Sequence, residues 1–447
     1  MKKNVGIYTL GCKVNQYESE AIGELLEQKG FTVLSADEAC DVYLINTCTV
    51  TAESDRKARQ FIRRAHSHNP NAYVIVTGCL AQTSPDSIAA IRGVDFVCGN
   101  REKLSVVDEI VRLYENGKKR ETPAVCAPSL DGAEFEPMSI RRFGRTRAYI
   151  KIEDGCENRC TYCIIPSARG AVRSKPQQDI VREVRDLTES GCREVVLTGI
   201  ETASWGRDIA GADLAALLEA VDQIEGIGRV RLGSLDPSLM RPAFVKRIAA
   251  LRSLAPHFHL SMQSGSDRVL ARMKRKYNRT QALAAIERLR AAIPNVQFTT
   301  DMIVGFPGET EEDFADTLDF ARQARFLMIH VFPYSKRAGT PAADMSDQIP
   351  SAIKKQRVAI LSALAADIRK ELLQDAIAAK KPQEVLFETY ENGIATGHTP
   401  SFIEVRVPSP CPLHAQTHAV RLEGIMPDGT ACTGTLIGDC PIINTER

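Results

Sequence analysis

Apolar and polar positions alternate in two rhythms along the chain. Over the first hundred residues, short apolar runs at residues 5–10, 41–47, 73–77 and 94–97 are separated by longer stretches with helical spacing. Strand and helix patterns alternating in this way predict βαβ units on a parallel sheet. Residues 17–29 place Ala21, Ile22, Leu25 and Leu26 on one face and then meet Gly30, which predicts an amphipathic helix and its stop. Residues 54–65 predict a second helix, basic along one side.

Periodicity is lost over residues 121–143, where Pro123, Pro128, Gly132 and Pro137 predict a linker, taken as 121–141. Six strand patterns follow, at residues 148–152, 194–198, 229–233, 257–261, 297–302 and 326–332, separated by amphipathic stretches such as 179–189, 212–223 and 310–323. Six β/α units predict a partial barrel whose site lies on the loops at the strand C-termini. Residues 353–380 predict one long helix. Beyond Pro382, short runs at 384–390, 403–407, 419–422 and 433–437 predict a small β-barrel. The fold class is therefore α/β: a parallel-sheet domain over residues 1–120, the linker, a partial (β/α)6 barrel over 142–379, and a small β-barrel over 380–447.

Composition adds little except through cysteine. A chain of 447 residues with 44% hydrophobic and 25% charged residues is ordinary for a soluble globular protein of several domains. No apolar run approaches the ~18 residues of a membrane span, so no membrane partner and a cytoplasmic location are expected. Lys plus Arg number 57 against 56 acids, so any nucleic-acid face has to be local. Thirteen cysteines in a chain without a secretory signal favour metal or redox chemistry over a disulfide framework.

Three of them, Cys156, Cys160 and Cys163, are spaced so that one short loop wraps three thiolates around one centre. A closed zinc site or a fully ligated cluster needs a fourth ligand, so this loop leaves a position open. The alternative is a zinc knuckle with a distant fourth ligand. Cys12, Cys48 and Cys79 each follow a predicted strand, and strand C-termini of an open parallel sheet converge on one edge. Cys98 follows the fourth strand in the same way, so position alone leaves four candidates. Two basic runs, Arg268 to Arg279 and Arg141 to Arg147, suit a phosphate backbone.

The loop Gly155-Cys-Glu-Asn-Arg-Cys-Thr-Tyr-Cys163, with aromatic Tyr162 before the last cysteine, resembles the cluster loop of radical S-adenosylmethionine (SAM) enzymes. Together with Leu10-Gly-Cys-Lys-Val-Asn-Gln-Tyr-Glu18, Asn46-Thr-Cys48 and Gly78-Cys79, it is similar to the methylthiotransferases of that superfamily. The resemblance implies two [4Fe-4S] clusters: one on Cys156, Cys160 and Cys163 that chelates SAM, and an auxiliary one on Cys12, Cys48 and Cys79, with Cys98 a bystander. It further implies SAM contacts at Tyr162, Gly199, Ser234, Gln263 and Asp301, an unidentified electron donor and a sulfur source. Residues 397–407, Gly-His-Thr-Pro-Ser-Phe-Ile-Glu-Val-Arg-Val, resemble the RNA-binding TRAM module. From Lys380 onward, however, five Lys or Arg meet eight Asp or Glu, so cationic RNA contacts are expected at Lys274, Arg275 and Lys276 instead.

Within the family, the opening motif and Glu153-Asp-Gly-Cys156 look most like the branch acting on N6-threonylcarbamoyladenosine at position 37 of tRNA. Its product is the 2-methylthio derivative. The alternatives are isopentenyladenosine in tRNA, a ribosomal-protein aspartate, and a non-catalytic iron-sulfur protein that binds RNA. The C2–H of adenine is unactivated, which is why acid-base side chains do not suffice and a cofactor has to carry the chemistry.

Overall fold

The computed structural model describes residues 3–117, 119–144 and 146–438. Arg145 of the second basic run and residues 439–447 of the expected terminal barrel lie outside the described residues. The amino-terminal sheet has six strands, β1 (Lys3–Thr9), β2 (Phe31–Ser35), β3 (Val42–Thr47), β4 (Tyr73–Gly78), β5 (Val94–Cys98) and β6 (Ala124–Cys126), in the order β2-β1-β3-β4-β5-β6. Every pair is parallel. β3 and β4 are apolar and buried along their whole length, as strands covered on both faces must be. Two of these strands were not expected. β2 has one exposed face and little apolar alternation, and β6 is three residues long inside the expected linker.

The linker expectation is corrected beyond β6. Met138 and Ile140 are buried in the main core, and the Glu136 carboxylate accepts hydrogen bonds from the Lys103 and Leu104 amides. This segment is packed between two domains; its prolines and lack of period concealed that.

The central domain begins with β7 (Ala148–Lys151) and a two-stranded ribbon of β8 (Glu153–Asp154) and β9 (Arg173–Ser174). Strands β10 (Glu194–Thr198), β11 (Arg229–Leu232), β12 (His257–His259), β13 (Gln297–Val304) and β14 (Met328–Pro333) follow. β7, β10 and β11 pair in parallel, as do β12, β13 and β14. Parallel bridges Val230–Leu254 and Leu235–Leu260 join the two halves. The expected six-unit partial barrel is therefore present, with the chain progressing one way from β7 to β14. Helix Lys13–Gln28 of the first domain packs against β7.

Helix Ser351–Ala378 packs on β14 and leads into a closed barrel of β15 (Gln383–Glu391), β16 (Ile394–His398), β17 (Glu404–Pro408), β18 (Thr417–Ile425) and β19 (Cys432–Leu436). β16 is the strand that the sequence pattern did not single out. Glu194, at the start of β10, is buried among Arg147, Arg229 and Arg231. These arginines in turn reach Glu388, Glu384 (2.6 Å) and the Pro400 carbonyl of the terminal barrel. Phe402, at a strained φ of 74°, stacks between His257 (4.5 Å) and His398 (4.7 Å). The terminal barrel is thus locked onto the N-terminal ends of the central strands.

Candidate active site

The first cysteine loop follows β8. Gly155 has φ 85°, and a Cβ there would lie 1.8 Å from the Ala171 carbonyl, so only glycine lets the loop pass its ribbon. The Cys156 amide donates to Gly170 (3.0 Å), the Cys163 amide to Cys160 (3.1 Å), and the Thr161 amide to Met273 (3.1 Å). Burial pushes the Cys156 thiol up to about 12 and that of Cys163 to about 11. Bare, these groups are thiols; metal ligation would displace their protons. The Arg275 guanidinium stands 3.2 Å from the Cys160 sulfur and pairs with Asp236 at 2.9 Å.

The second set gathers at one edge of the amino-terminal sheet. Cys12 caps helix Lys13–Gln28, Cys48 follows β3, and Cys79 follows β4. Gly78 makes this convergence possible, because a Cβ there would lie 2.4 Å from the Thr47 carbonyl. Cys48 and Cys79 are buried; Cys12 is exposed, and desolvation raises its thiol all the same. Cys98 does not join them. Its side chain is buried in the core of the amino-terminal domain, against the Glu102 carbonyl and the Ser105 hydroxyl.

Each set offers three thiols. Among the described residues, no three His, Cys, Asp or Glu side chains converge tightly enough to ligate a single ion. A four-iron cluster does not ask for that, since each thiolate holds a different iron. The donor type suits soft iron-sulfur ligation, and the Arg169 and Arg275 cations beside the sulfurs suit its negative charge.

Arg169, fully buried, joins the two sets. It lies on the segment leaving the first loop, and its Nε is 3.3 Å from the Cys79 sulfur. Its guanidinium also pairs with Glu18 (2.6 Å) and Asp154 (3.1 Å). Lys103, Lys151 and Arg173 complete this buried cluster, so four cations face two carboxylates. The surplus positive charge is what anionic thiolates would balance. Asn15 and Tyr17 of the opening motif hold the same interface: Asn15 donates to the Leu10 and Thr47 carbonyls, and the Tyr17 hydroxyl sits between the Met138 carbonyl and Glu183.

Beside the first loop lies a cavity of about 220 Å³ lined by Tyr162, Cys163, Gln263, Asp301 and Phe332, and by Val50, two residues beyond Cys48. Val50 and Phe332 are 51% and 43% exposed there, unusual for such large apolar groups. Gln263 is held at φ 65° by backbone hydrogen bonds with Asp301 and Ile303. Three expected SAM contacts, Tyr162, Gln263 and Asp301, thus meet in one place. Gly199 and Ser234 stand at neighbouring strand ends and do not line this cavity; a Cβ on Gly199 would lie 2.4 Å from the Glu153 carboxylate. A second cavity of about 420 Å³, on the other side of the first loop, is bordered by Asn158, Glu201, Asp236, Arg241 and Lys276. Burial and the Asp236 charge raise Glu201 to about 7.

One expected contact is corrected. The Arg275 side chain is buried with its guanidinium turned inward on Asp236 and Cys160, so it has no free face for RNA. Its neighbours Lys274 and Lys276 are exposed. The rest of the run is largely neutralised from other elements: Arg268 pairs with Asp313, Arg272 with Asp347, and Arg279 with Asp316 and Asp319. Arg169 and Glu18 were missed as a linking pair, since the two lie 151 positions apart in sequence.

Comparison with known proteins agrees with this geometry. Residues 150–321 match the radical SAM superfamily, and residues 4–99 match the Uncharacterized protein family UPF0004. A threonylcarbamoyladenosine tRNA methylthiotransferase of Bacillus subtilis is 40% identical over 90% of this chain and 89% of its own length. A tRNA-2-methylthio-N(6)-dimethylallyladenosine synthase of Carboxydothermus hydrogenoformans is 36% identical over 83% of this chain and 85% of its own. In fold, a radical S-adenosylmethionine methyltransferase from Kitasatospora setae superposes with a TM-score of 0.54 over 77% of each chain at 18% identity. The chain belongs to the radical SAM tRNA methylthiotransferase family, and it is an enzyme of that kind.

Proposed function

We propose that this enzyme adds a methylthio group to C2 of N6-threonylcarbamoyladenosine at position 37 of tRNA. The observation that carries the reading is the 220 Å³ cavity, which is bounded by Cys163 and Tyr162 of the first loop and by Val50 and Thr51 just beyond Cys48. The first set therefore opens on a chamber walled on one side by the segment that follows Cys48, an arrangement suited to a reaction that brings two iron-sulfur centres to one carbon.

Cys156, Cys160 and Cys163 hold the SAM-chelating [4Fe-4S] cluster and Cys12, Cys48 and Cys79 the auxiliary one. When bound, they supply the reductive cleavage of SAM and the route for sulfur. The chain's own residues do the rest. Tyr162, Gln263 and Asp301 border the space for SAM, with Gly199 and Ser234 beside it. Val50 and Phe332 offer apolar surface to a flat base, which would shield the reacting carbon from water. Arg337 closes one side by bridging to Thr49 (2.6 Å) and Asp55 (2.7 Å) across the domain boundary. Exposed Lys274 and Lys276 border the outer rim, where tRNA phosphates would pass. An electron donor and a sulfur source act from outside the chain, and a cytoplasmic location follows from a tRNA substrate.

Nucleoside analysis of tRNA from cells lacking the protein tests this. Loss of the 2-methylthio derivative with accumulation of N6-threonylcarbamoyladenosine is expected. Loss of 2-methylthio-isopentenyladenosine instead would overturn the substrate.

A further inference from the structure

Helix Ala52–His68 carries a basic run that the chamber does not use. Its N-terminus is fixed at the chamber. Thr51, its N-cap, and Val50 line the 220 Å³ cavity, the Ala52 amide donates to the Ser335 hydroxyl (3.2 Å), and Asp55 receives Arg337 (2.7 Å). Ala58, Phe61, Ile62 and Ala65 then pack the helix on β3 and β4, and its remaining turns lead away from the chamber with the opposite face in solvent.

Arg56, Arg59 and Arg63 recur at helical spacing, and their fates differ. Arg56 is taken by Glu53 (2.6 Å). Arg59 and Arg63 line an open cavity of about 550 Å³, together with His66 and Ser67 of the same helix and with Ser87 and Arg92 on the segment after β4. The Arg59 guanidinium donates to the Ser87 hydroxyl (3.0 Å) and carbonyl (3.3 Å), which holds it in place. Gly93, at φ 92°, lets the chain press against His66, where a Cβ would lie 2.4 Å from the ring, and so brings Arg92 to the cavity.

No carboxylate lines this cavity, and among the described residues Arg59, Arg63 and Arg92 have no ion pair. The run at Arg268 to Arg279, by contrast, is neutralised by Asp313, Asp347, Asp316 and Asp319. The fold does not account for the difference. Like charges four residues apart, as Arg59 and Arg63 are, weaken a helix. Cations in a last turn complement the helix dipole, but Arg59 lies further back and Arg92 is on another segment. Guanidinium groups with hydroxyls and an imidazole beside them, and no acid, fit the oxygens of a phosphate. At a rise of about 1.5 Å per residue, Arg59 and Arg63 stand about 12 and 18 Å from Thr51 at the chamber wall, a few nucleotides along an RNA strand.

Resting on the tRNA substrate of the reading above, and not on which nucleoside is modified, we propose that Arg59, Arg63 and Arg92 form a docking surface for the tRNA phosphate backbone a few nucleotides from the target base. The same charges would suit an acidic protein. The RNA is favoured because one helix joins this surface to the chamber that receives the base.

The test uses the anaerobically reconstituted holoenzyme, substrate tRNA lacking the methylthio group, and the double variant Arg63→Gln with Arg92→Gln, which keeps the contact of Arg59 with Ser87. Titrations across a salt series should show weaker tRNA binding at low salt and a slope of log affinity on log salt reduced by about 2, near one unit for each phosphate no longer neutralised. Adding Arg59→Gln should bring the reduction to about 3, and Arg63→Lys with Arg92→Lys should keep the wild-type slope. In turnover, KM for tRNA should rise with kcat unchanged. A trinucleotide centred on the target adenosine is too short to reach the cavity, so wild type and the double variant should turn it over equally. An unchanged slope and KM in the Gln variants overturns the proposal. An equal loss with the trinucleotide also overturns it, as damage to the chamber. Lost activity with tRNA binding intact overturns it as well and assigns the surface to a protein partner. If wild type itself neither binds nor modifies tRNA, the substrate reading fails, and it fails independently of these arginines.

Discussion

The two cysteine sets are assembled by opposite routes. Cys156, Cys160 and Cys163 lie on eight consecutive residues, so their spacing is written in the chain and a short ribbon is enough to shape them. Cys12, Cys48 and Cys79 are brought together only when three strands stack in register and Gly78 lets two of their ends approach. The first site is local and the second depends on the fold. Arg169 ties the dependent site to the local one, through a charge cluster that exists only when the domains dock.

This contrast predicts unequal responses to mutation. The largest should follow Arg169→Met, which removes the buried guanidinium bonds to Glu18 and Asp154, leaving these to Lys103, Lys151 and Arg173, and takes the neighbouring cation from the Cys79 sulfur. Removing one side of a buried pair costs about 3–5 kcal/mol. Thermal unfolding should drop by several degrees, and the auxiliary cluster should be lost before the SAM-chelating one. Loss of the first-loop cluster instead would break the comparison.

Next is Glu194→Gln, at the base of the barrel. Its carboxyl is held at about 2, burial opposing and Arg231, Arg147 and Arg229 prevailing. A depressed carboxyl stabilises above its unfolded value near 4.3, and that contribution, about 3 kcal/mol, is lost as pH falls toward 2. The variant should loosen the terminal barrel, seen as protease cleavage after helix Ser351–Ala378, with iron content unchanged. Acid should do the same to wild type, between about pH 4 and 2.

A smaller effect is expected at the RNA rim. Lys274→Gln with Lys276→Gln should weaken tRNA binding and reduce the salt slope by about 2, near one unit for each phosphate that is no longer neutralised. Arg275→Gln should leave the slope alone and disturb the first loop's cluster absorption, because its charge faces Cys160. The smallest effect is that of Cys98→Ala, buried against Glu102 and Ser105, where iron content and turnover should stay at wild-type values.

Much of this was legible in the chain for physical reasons that differ from place to place. β3, β4 and β10 announce themselves because buried parallel strands carry continuous apolar runs, and the other barrel strands because short apolar stretches recur between amphipathic helices. β2 and β6 do not, being edge strands with one open face or three residues. The first cysteine loop was complete in the sequence; position narrowed the second to four cysteines, and in the fold Cys98 is buried against Glu102 and Ser105. The charges were the least legible. Arg275 looks identical to Lys274 and Lys276 in a basic run, and nothing local reveals that Asp236, 39 positions away, turns it inward. Glu18 and Arg169 are hidden in the same way.

The most direct test of the account is iron counting with spectroscopy on three anaerobically reconstituted proteins: wild type, the triple Cys156/Cys160/Cys163→Ala variant, and the triple Cys12/Cys48/Cys79→Ala variant. Two independent clusters predict about eight irons in wild type and about four in each variant, four being the content of one such cluster. The reduced spectra of the two variants should sum to that of wild type, and only the second should still cleave SAM. Loss of all iron from either variant, or about four irons in wild type, would contradict two separate centres.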